Sequence, residues 1–404
     1  MMVVISPSPM KDVAMPKNIV ILLDGTSNQI SADRTNILRL YGTLEKSEAQ
    51  LVYYDPGVGT LGAEQAWLGF WRKTVEVWGM VTGYGMDQNV KEAYRFLVEN
   101  FEAGPDGQDQ IYIFGFSRGA YSARVLAGFL HAFGLMEKRN LNLLDYAYRA
   151  YKRIGSKVAG AGSENAWGEI NLFSKTLRPY HPSVRLLGLF DTVSSVIESG
   201  RYGPRLRGHA FTNNNTSVQS VRQALAIHEK RIMFRPCLWP PGQAFKRNKF
   251  SNAAGAPQDT REVWFTGVHA DVGGGYPEAE SGLAKEALRW MIEQTRPTGL
   301  KFITSTVNQL VLGTSQGGNR KQYTKPSAFG QKHVSMNPAW AVLEFLPAFR
   351  PKASKRKRFF GFTLPLFEPR HIPRAALIHH SVFERAAAYR DLPANLPPDY
   401  KIEP

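Results

Sequence analysis

The sequence predicts an α/β fold with a mostly parallel sheet and helices on both faces, and two observations carry that prediction. Short apolar, β-rich runs alternate with segments of helical period through the first two thirds of the chain, the pattern of strands joined by crossover helices. Glycine and polar residues collect just after those runs, where an open parallel sheet places its crevice.

The elements follow in order. The start, residues 1–17, is broken by Pro7, Pro9 and Pro16 and is expected to be flexible. Asn18 to Leu23 (NIVILL) is a fully buried strand ending in the turn-rich Asp24-Gly25-Thr26-Ser27-Asn28. A short amphipathic helix at 35–44 leads to a second strand at 51–54, with another glycine-rich loop at 55–60. Two such loops at strand ends imply a shared crevice. Residues 62–86 hold Trp67, Phe70, Trp71 and Trp78 among glycines and form a candidate flap or aromatic cover. Val90, Ala93, Tyr94, Leu97, Val98 and Phe101 make a helical stripe.

The stretch from Gln110 to Gly134 then reads as strand, sharp turn and helix. Ile111 to Phe114 is the strand, and Ala123, Leu126, Ala127 and Leu130 repeat at helical spacing until Gly134 stops them. Between them Gly115, Ser117 and Gly119 form G-x-S-x-G. The bare pattern arises by chance in about one chain in seven of this length; its place between a strand and a helix is what makes it specific. There the serine occupies a strained bend that exposes its hydroxyl. The plainer alternative is a helix-capping serine in a glycine-rich turn.

Beyond this, residues 135–180 are a candidate insertion containing a helical stretch at 143–154. Strands are expected at 183–190, ending at Asp191, and at 262–268, delivering His269, Asp271 and the glycines 273–275. In a parallel sheet these ends converge. A serine hydroxyl needs a base to take its proton, and the imidazole needs a carboxylate to hold its tautomer. Ser117, Asp191 and His269 supply the three types, in the chain order expected of a nucleophile elbow on an α/β-hydrolase sheet. The oxyanion would meet the backbone N–H of Arg118 and one from Gly25 or Thr26. His379 and His380 compete with His269 as base; Asp24 and Asp271 compete with Asp191 as acid. Asp24, Asp191, His269 and Asp271 could instead hold a divalent ion for phosphoesterase chemistry.

Composition narrows the rest. With 404 residues, 43% of them hydrophobic, the chain can bury a large core. Its one cysteine, Cys237, excludes an intrachain disulfide or a cysteine-based metal cluster. No run of 18 apolar residues and no basic-then-apolar leader pattern occurs, so cytoplasmic synthesis is expected, with one-step export still open. The net charge is +16, and residues 320–374 hold 12 Lys/Arg against 2 Asp/Glu, a net of +10, densest at Lys355 to Arg358. Aromatic residues flank that run at 340–349 and 359–367. Basic plus apolar favours contact with an anionic membrane over nucleic acid, although a solvated basic loop has the same composition.

Six ordered blocks carry a resemblance: ILLDGT at 21–26, DPGVGT at 55–60, GFSRGA at 115–120, FDTV at 190–193, VWF at 263–265 and GVHADVGGGY at 267–276. Together they are similar to the α/β-hydrolase family, domain of unknown function 2235, that includes the class 1 type VI secretion lipase effectors. The likeness spans about residues 18–300, with a weaker tail at 378–398. It implies an α/β-hydrolase-like fold with insertions and, for the characterised branch, phospholipase activity through the serine, the FDTV aspartate and the HADVGG histidine, without a cofactor. The expected organisation is a catalytic core at 18–312, a basic and aromatic segment at 313–377, and a segment at 378–404 packing on the core. The functional reading is a serine ester hydrolase acting on an acyl-ester or phospholipid substrate, with an immunity or secretion-adaptor protein as candidate partner. An inactive binding module on the same scaffold is the reading from another class.

Overall fold

The computed structural model describes residues 16–25, 34–57, 84–104, 107–155, 162–193, 197–200, 203–206, 208–250, 252–314, 322–345, 348–349, 362–364 and 366–404. Most of the candidate flap, the run Lys355 to Arg358, and Thr26 lie outside them.

Eight strands form one sheet: β1 Asn18–Leu23, β2 Gln50–Asp55, β3 Gln110–Phe116, β4 Val184–Phe190, β5 Val218–Ala226, β6 Asp259–Phe265, β7 Leu377–His379 and β8 Lys401–Glu403. Their order is β8-β7-β6-β5-β4-β3-β1-β2, and every adjacent pair is parallel. The helices are α1 Asn36–Thr43, α2 Tyr84–Asn100, α3 Arg118–Ala132, α4 Leu144–Gly155, α5 Gly162–Leu177, α6 His269–Gly273, α7 Gly282–Thr295, α8 Thr304–Leu310, α9 Pro338–Glu344 and α10 His380–Tyr389.

Alternation along the strands sorts the core into two layers, because successive side chains point to opposite faces. Ile19, Ile21, Ile111, Ile113, Leu187 and Leu189 pack with α2, α3 and α4. Val20, Leu22, Tyr112, Phe114, Leu186 and Phe190 pack with α1, α7 and α8. The result is an α/β-hydrolase-like three-layer fold. β1 leads into α1 on one face and β3 into α3 on the other, so the crossovers part company between these neighbours. Ligands bind parallel sheets at the carboxyl ends of strands at such a switch point.

Three sequence expectations are corrected. Tyr84 to Met86, assigned to the flap, begin α2, and Met86 is buried in the core. The strand at 262–268 ends at Phe265, because Val268 donates its N–H to Asp271 Oδ2 at 2.9 Å and the chain turns into α6. β5 has no counterpart in the sequence reading. It lies mid-sheet yet carries Ser220, Arg222 and Gln223, all buried, which erases the apolar run that marks a central strand. These groups are satisfied in place. Gln223 Oε1 accepts from Arg124 at 2.7 Å and Thr192 at 2.6 Å, its amide donates to Glu262 at 2.6 Å, and Arg222 binds Asp259 at 2.7 Å.

Candidate active site

Ser117 sits between β3 and α3 with φ of 59° and ψ of −122°, a conformation a non-glycine residue rarely holds. What forces it is the close approach of neighbouring backbone. A Cβ on Gly119 would lie 2.2 Å from the Leu23 carbonyl at the end of β1, and one on Gly115 would lie 2.4 Å from the Gly119 carbonyl. The two glycines let α3 begin hard against β1. The Ser117 N–H donates to the Phe190 carbonyl of β4 at 3.0 Å, which ties the bend to the strand carrying Asp191.

Asp191 follows β4, also at positive φ (40°), and is wholly buried. His269 opens α6. Its Nε2 lies 2.8 Å from Ser117 Oγ and its Nδ1 lies 2.5 Å from Asp191 Oδ2. A carboxylate can only accept, so Nδ1 carries the proton and Nε2 is left to accept from the serine hydroxyl. Asp191 Oδ1 also accepts from the Ala226 N–H at 3.0 Å. The imidazole stacks on Phe116 at 4.7 Å between centroids and meets the edge of Phe234 at 4.8 Å. Gly273 makes room for this stack: a Cβ there would lie 1.8 Å from the Phe116 ring.

The electrostatics follow from burial. Removal from water pushes the His269 imidazole below its ordinary value, and the hydrogen bond and charge of Asp191 offset this only in part. Burial alone would raise Asp191, but the Arg370 guanidinium and the His269 bond overcome it and hold the carboxyl well below the usual range. A neutral imidazole beside an ionised carboxylate is the protonation state a general base requires. Glu229, buried beside them, accepts the His269 backbone N–H at 3.2 Å; burial raises it, and its pair with Arg231 brings it down to about 2.

The competing residues are engaged elsewhere. Asp24 accepts from Thr35 at 2.5 Å and Tyr54 at 3.0 Å, joining the end of β1 to the start of α1 and to β2. The Gly25 N–H donates to Asp24 Oδ1 at 2.7 Å, so of the expected oxyanion donors it is already committed. Asp271 holds the start of α6 through Val268 and accepts from His333 Nδ1 at 2.6 Å. His379 lies on β7, four strand spacings or about 19 Å across the sheet from β3; its Nδ1 pairs with Ser381 at 2.8 Å and its ring stacks on Phe265. Burial pushes His379 down to about 3. His380 faces Glu384 at 3.6 Å. Among the described residues no group of three or more His, Cys, Asp or Glu side chains is arranged to hold a metal ion.

Sequence reasoning missed Arg370, His333 and Phe234. Arg370 lies within the stretch read as surplus positive charge, yet it is only 6% exposed and forks onto Asp191. No local pattern around it marks it as different from the cations nearby. Among the described residues no helix is long and apolar enough to cross a membrane.

Comparison with known proteins places the chain in a family. The chain is 31% identical over 246 residues to "Uncharacterized protein YEL023C" of Saccharomyces cerevisiae (strain ATCC 204508 / S288c), a match covering 58% of this chain and 34% of that protein, so the chain spans about a third of that relative's length. An uncharacterized protein from Pseudomonas aeruginosa aligns in structure with a TM-score of 0.43 and 17% identity, over 71% of this chain and 46% of the other. The Tle1 effector, solved bound to the VgrG spike of the type 6 secretion system, aligns with a TM-score of 0.33 and 21% identity, over 66% and 52%. Residues 17–294, from the first strand through α7, match the family described as "T6SS, Phospholipase effector Tle1-like, catalytic domain". That stretch covers more than half of the chain and contains Ser117, Asp191 and His269, and the chain therefore belongs to the Tle1-like catalytic-domain family of type VI phospholipase effectors.

Proposed function

We propose that the protein is a serine ester hydrolase of the phospholipase class, cleaving an acyl ester through Ser117, His269 and Asp191. The observation that carries this reading is the relay of contacts from Asp191 Oδ2 through the imidazole to Ser117 Oγ, at 2.5 and 2.8 Å. In the proposed mechanism, His269 Nε2 takes the hydroxyl proton as Ser117 Oγ attacks the ester carbonyl. The oxyanion is assigned to the N–H of Arg118, the residue after the nucleophile. The imidazolium passes its proton to the departing alcohol. Water then enters, is deprotonated by the same nitrogen and frees the fatty acid.

Phospholipid is the substrate class that the family and the surface both favour. Exposed Phe345 and Leu364 lie in the basic and aromatic segment, a composition suited to an anionic lipid interface. The family's place among type VI effectors supports export by such a system and contact with its secretion apparatus. The purified protein is expected to hydrolyse a soluble p-nitrophenyl ester and phospholipid vesicles, anionic ones faster than zwitterionic ones, without sensitivity to EDTA. Ser117→Ala is expected to lose about 10³-fold or more of both activities while keeping its thermal melt. An alanine variant with full turnover would refute the nucleophile assignment.

A further inference from the structure

We propose that Arg370, beyond the last residue of the matched catalytic domain, is a positioning residue for this hydrolysis, holding both oxygens of Asp191 in place against the His269 imidazole. The inference rests on the assignment of His269 and Asp191 above.

The geometry is a two-nitrogen fork. Arg370 Nη1 donates to Asp191 Oδ1 at 2.5 Å and Nη2 donates to Oδ2 at 2.9 Å, the planar match that guanidinium makes with carboxylate. The same nitrogens donate to the carbonyls of Ala226, at 2.9 Å, and Phe234. Arg370 thus joins the ends of β4 and β5 to the segment whose ring packs on His269. Each Asp191 oxygen now has two donors: Ala226 N–H and Arg370 on Oδ1, His269 and Arg370 on Oδ2. A carboxylate so held can neither rotate nor tilt away from the imidazole.

Charge adds a second effect. A fully buried Asp191 with only neutral donors would tend to protonate and lose its hold on Nδ1–H. The other charges facing His269 are Glu229 and Arg231, which pair with each other at 2.8 Å. On α6 itself, Asp271 pairs with His333, which also meets Glu280. Arg370 is not a partner in any of these pairs. The His269–Asp191 pair takes up its next proton as a unit. Removing a nearby positive charge makes that uptake easier, whichever of the two atoms receives it. Arg370 therefore extends the active range of the enzyme toward acid.

The test is the pH profile of kcat/KM for a soluble p-nitrophenyl ester with the full chain, alongside the rate at which a fluorophosphonate probe labels Ser117. Arg370→Met is expected to move the acid limb up by about 1–2 pH units, from loss of a unit charge bonded directly to Asp191 in a partly screened interior. It should also slow labelling on the plateau by about tenfold or more. Arg370→Lys keeps the charge without the fork: its acid limb should stay within about 0.3 unit of the parent while its plateau labelling falls. A folded Met variant with the parental acid limb overturns the proposal. If the Met variant does not fold, the Lys variant decides, and parental plateau labelling in it overturns the positioning role. Failure of the underlying assignment looks different: the parent itself would resist the probe, or Ser117→Ala would hydrolyse the ester as the parent does.

Discussion

Two imidazole–carboxylate pairs flank the short helix α6, and their differences explain what each can do. His269 pairs with Asp191 and is sealed by Phe116 and Phe234; its second nitrogen meets a hydroxyl. His333 pairs with Asp271 at 2.6 Å and stacks on Tyr276 with centroids 3.6 Å apart, but its second nitrogen meets Glu280 at 2.9 Å. Burial lowers His269 more than its bond to Asp191 and the charges of Asp191 and Glu229 raise it. For His333 burial also acts downward, but bonds to two carboxylates prevail and the net shift is upward. One imidazole is therefore biased toward its neutral form, with a lone pair aimed at Ser117, and the other, bonded to a carboxylate at each nitrogen, toward its protonated form. The lesson is that a histidine beside an aspartate is a base or a clip according to what its far nitrogen faces.

Exchanging the two roles by mutation gives the sharpest contrast. His269→Gln is expected to lower kcat by about 10³-fold or more, whereas His333→Gln should cost less than about tenfold, since it acts only by loosening α6. Comparable losses in the two variants would break the distinction. A medium effect is expected in the pH profile. Because His269 is pushed down in the folded protein, the acid limb of kcat/KM should lie below the ordinary histidine value of about 6.5; a limb above that value would contradict the buried, neutral base. The smallest effect is on stability. The His333 value is raised in the folded state, so its contribution is fully present below about pH 6.5 and lost as pH rises through the folded value. His333→Gln should lower stability by about 1 kcal/mol at pH 6 and by less at pH 9, read from urea melts. An equal loss at both values would show that the proton on His333 does nothing for the fold.

What the sequence revealed tracks where chemistry and backbone geometry coincide. β1 is legible because Asn18 to Leu23 is covered on both faces and nearly all apolar. The contact of Ser117, Asp191 and His269 is legible because each follows a strand and each is a residue type the proposed reaction needs. β5 is not, because its polar residues are satisfied by partners far away in the chain, such as Arg124 with Gln223, 99 residues apart. Arg370 is hidden for the same reason: 179 residues separate it from Asp191, and among neighbouring cations it carries no local mark. The end of the strand before His269 was misplaced because the cap that turns the chain is a side chain, Asp271, acting backward on Val268. Local patterns mark the side chains that the fold brings together; the long-range partners that hold them come into view only with the fold.

The most direct measurement is to treat the protein with a fluorophosphonate at neutral pH and map the adduct by peptide mass spectrometry, with His269→Gln alongside. The account predicts a single adduct on Ser117 that forms rapidly in the parent and at least about 10³-fold more slowly in the variant. An adduct on another residue, or equal labelling of both proteins, would contradict it.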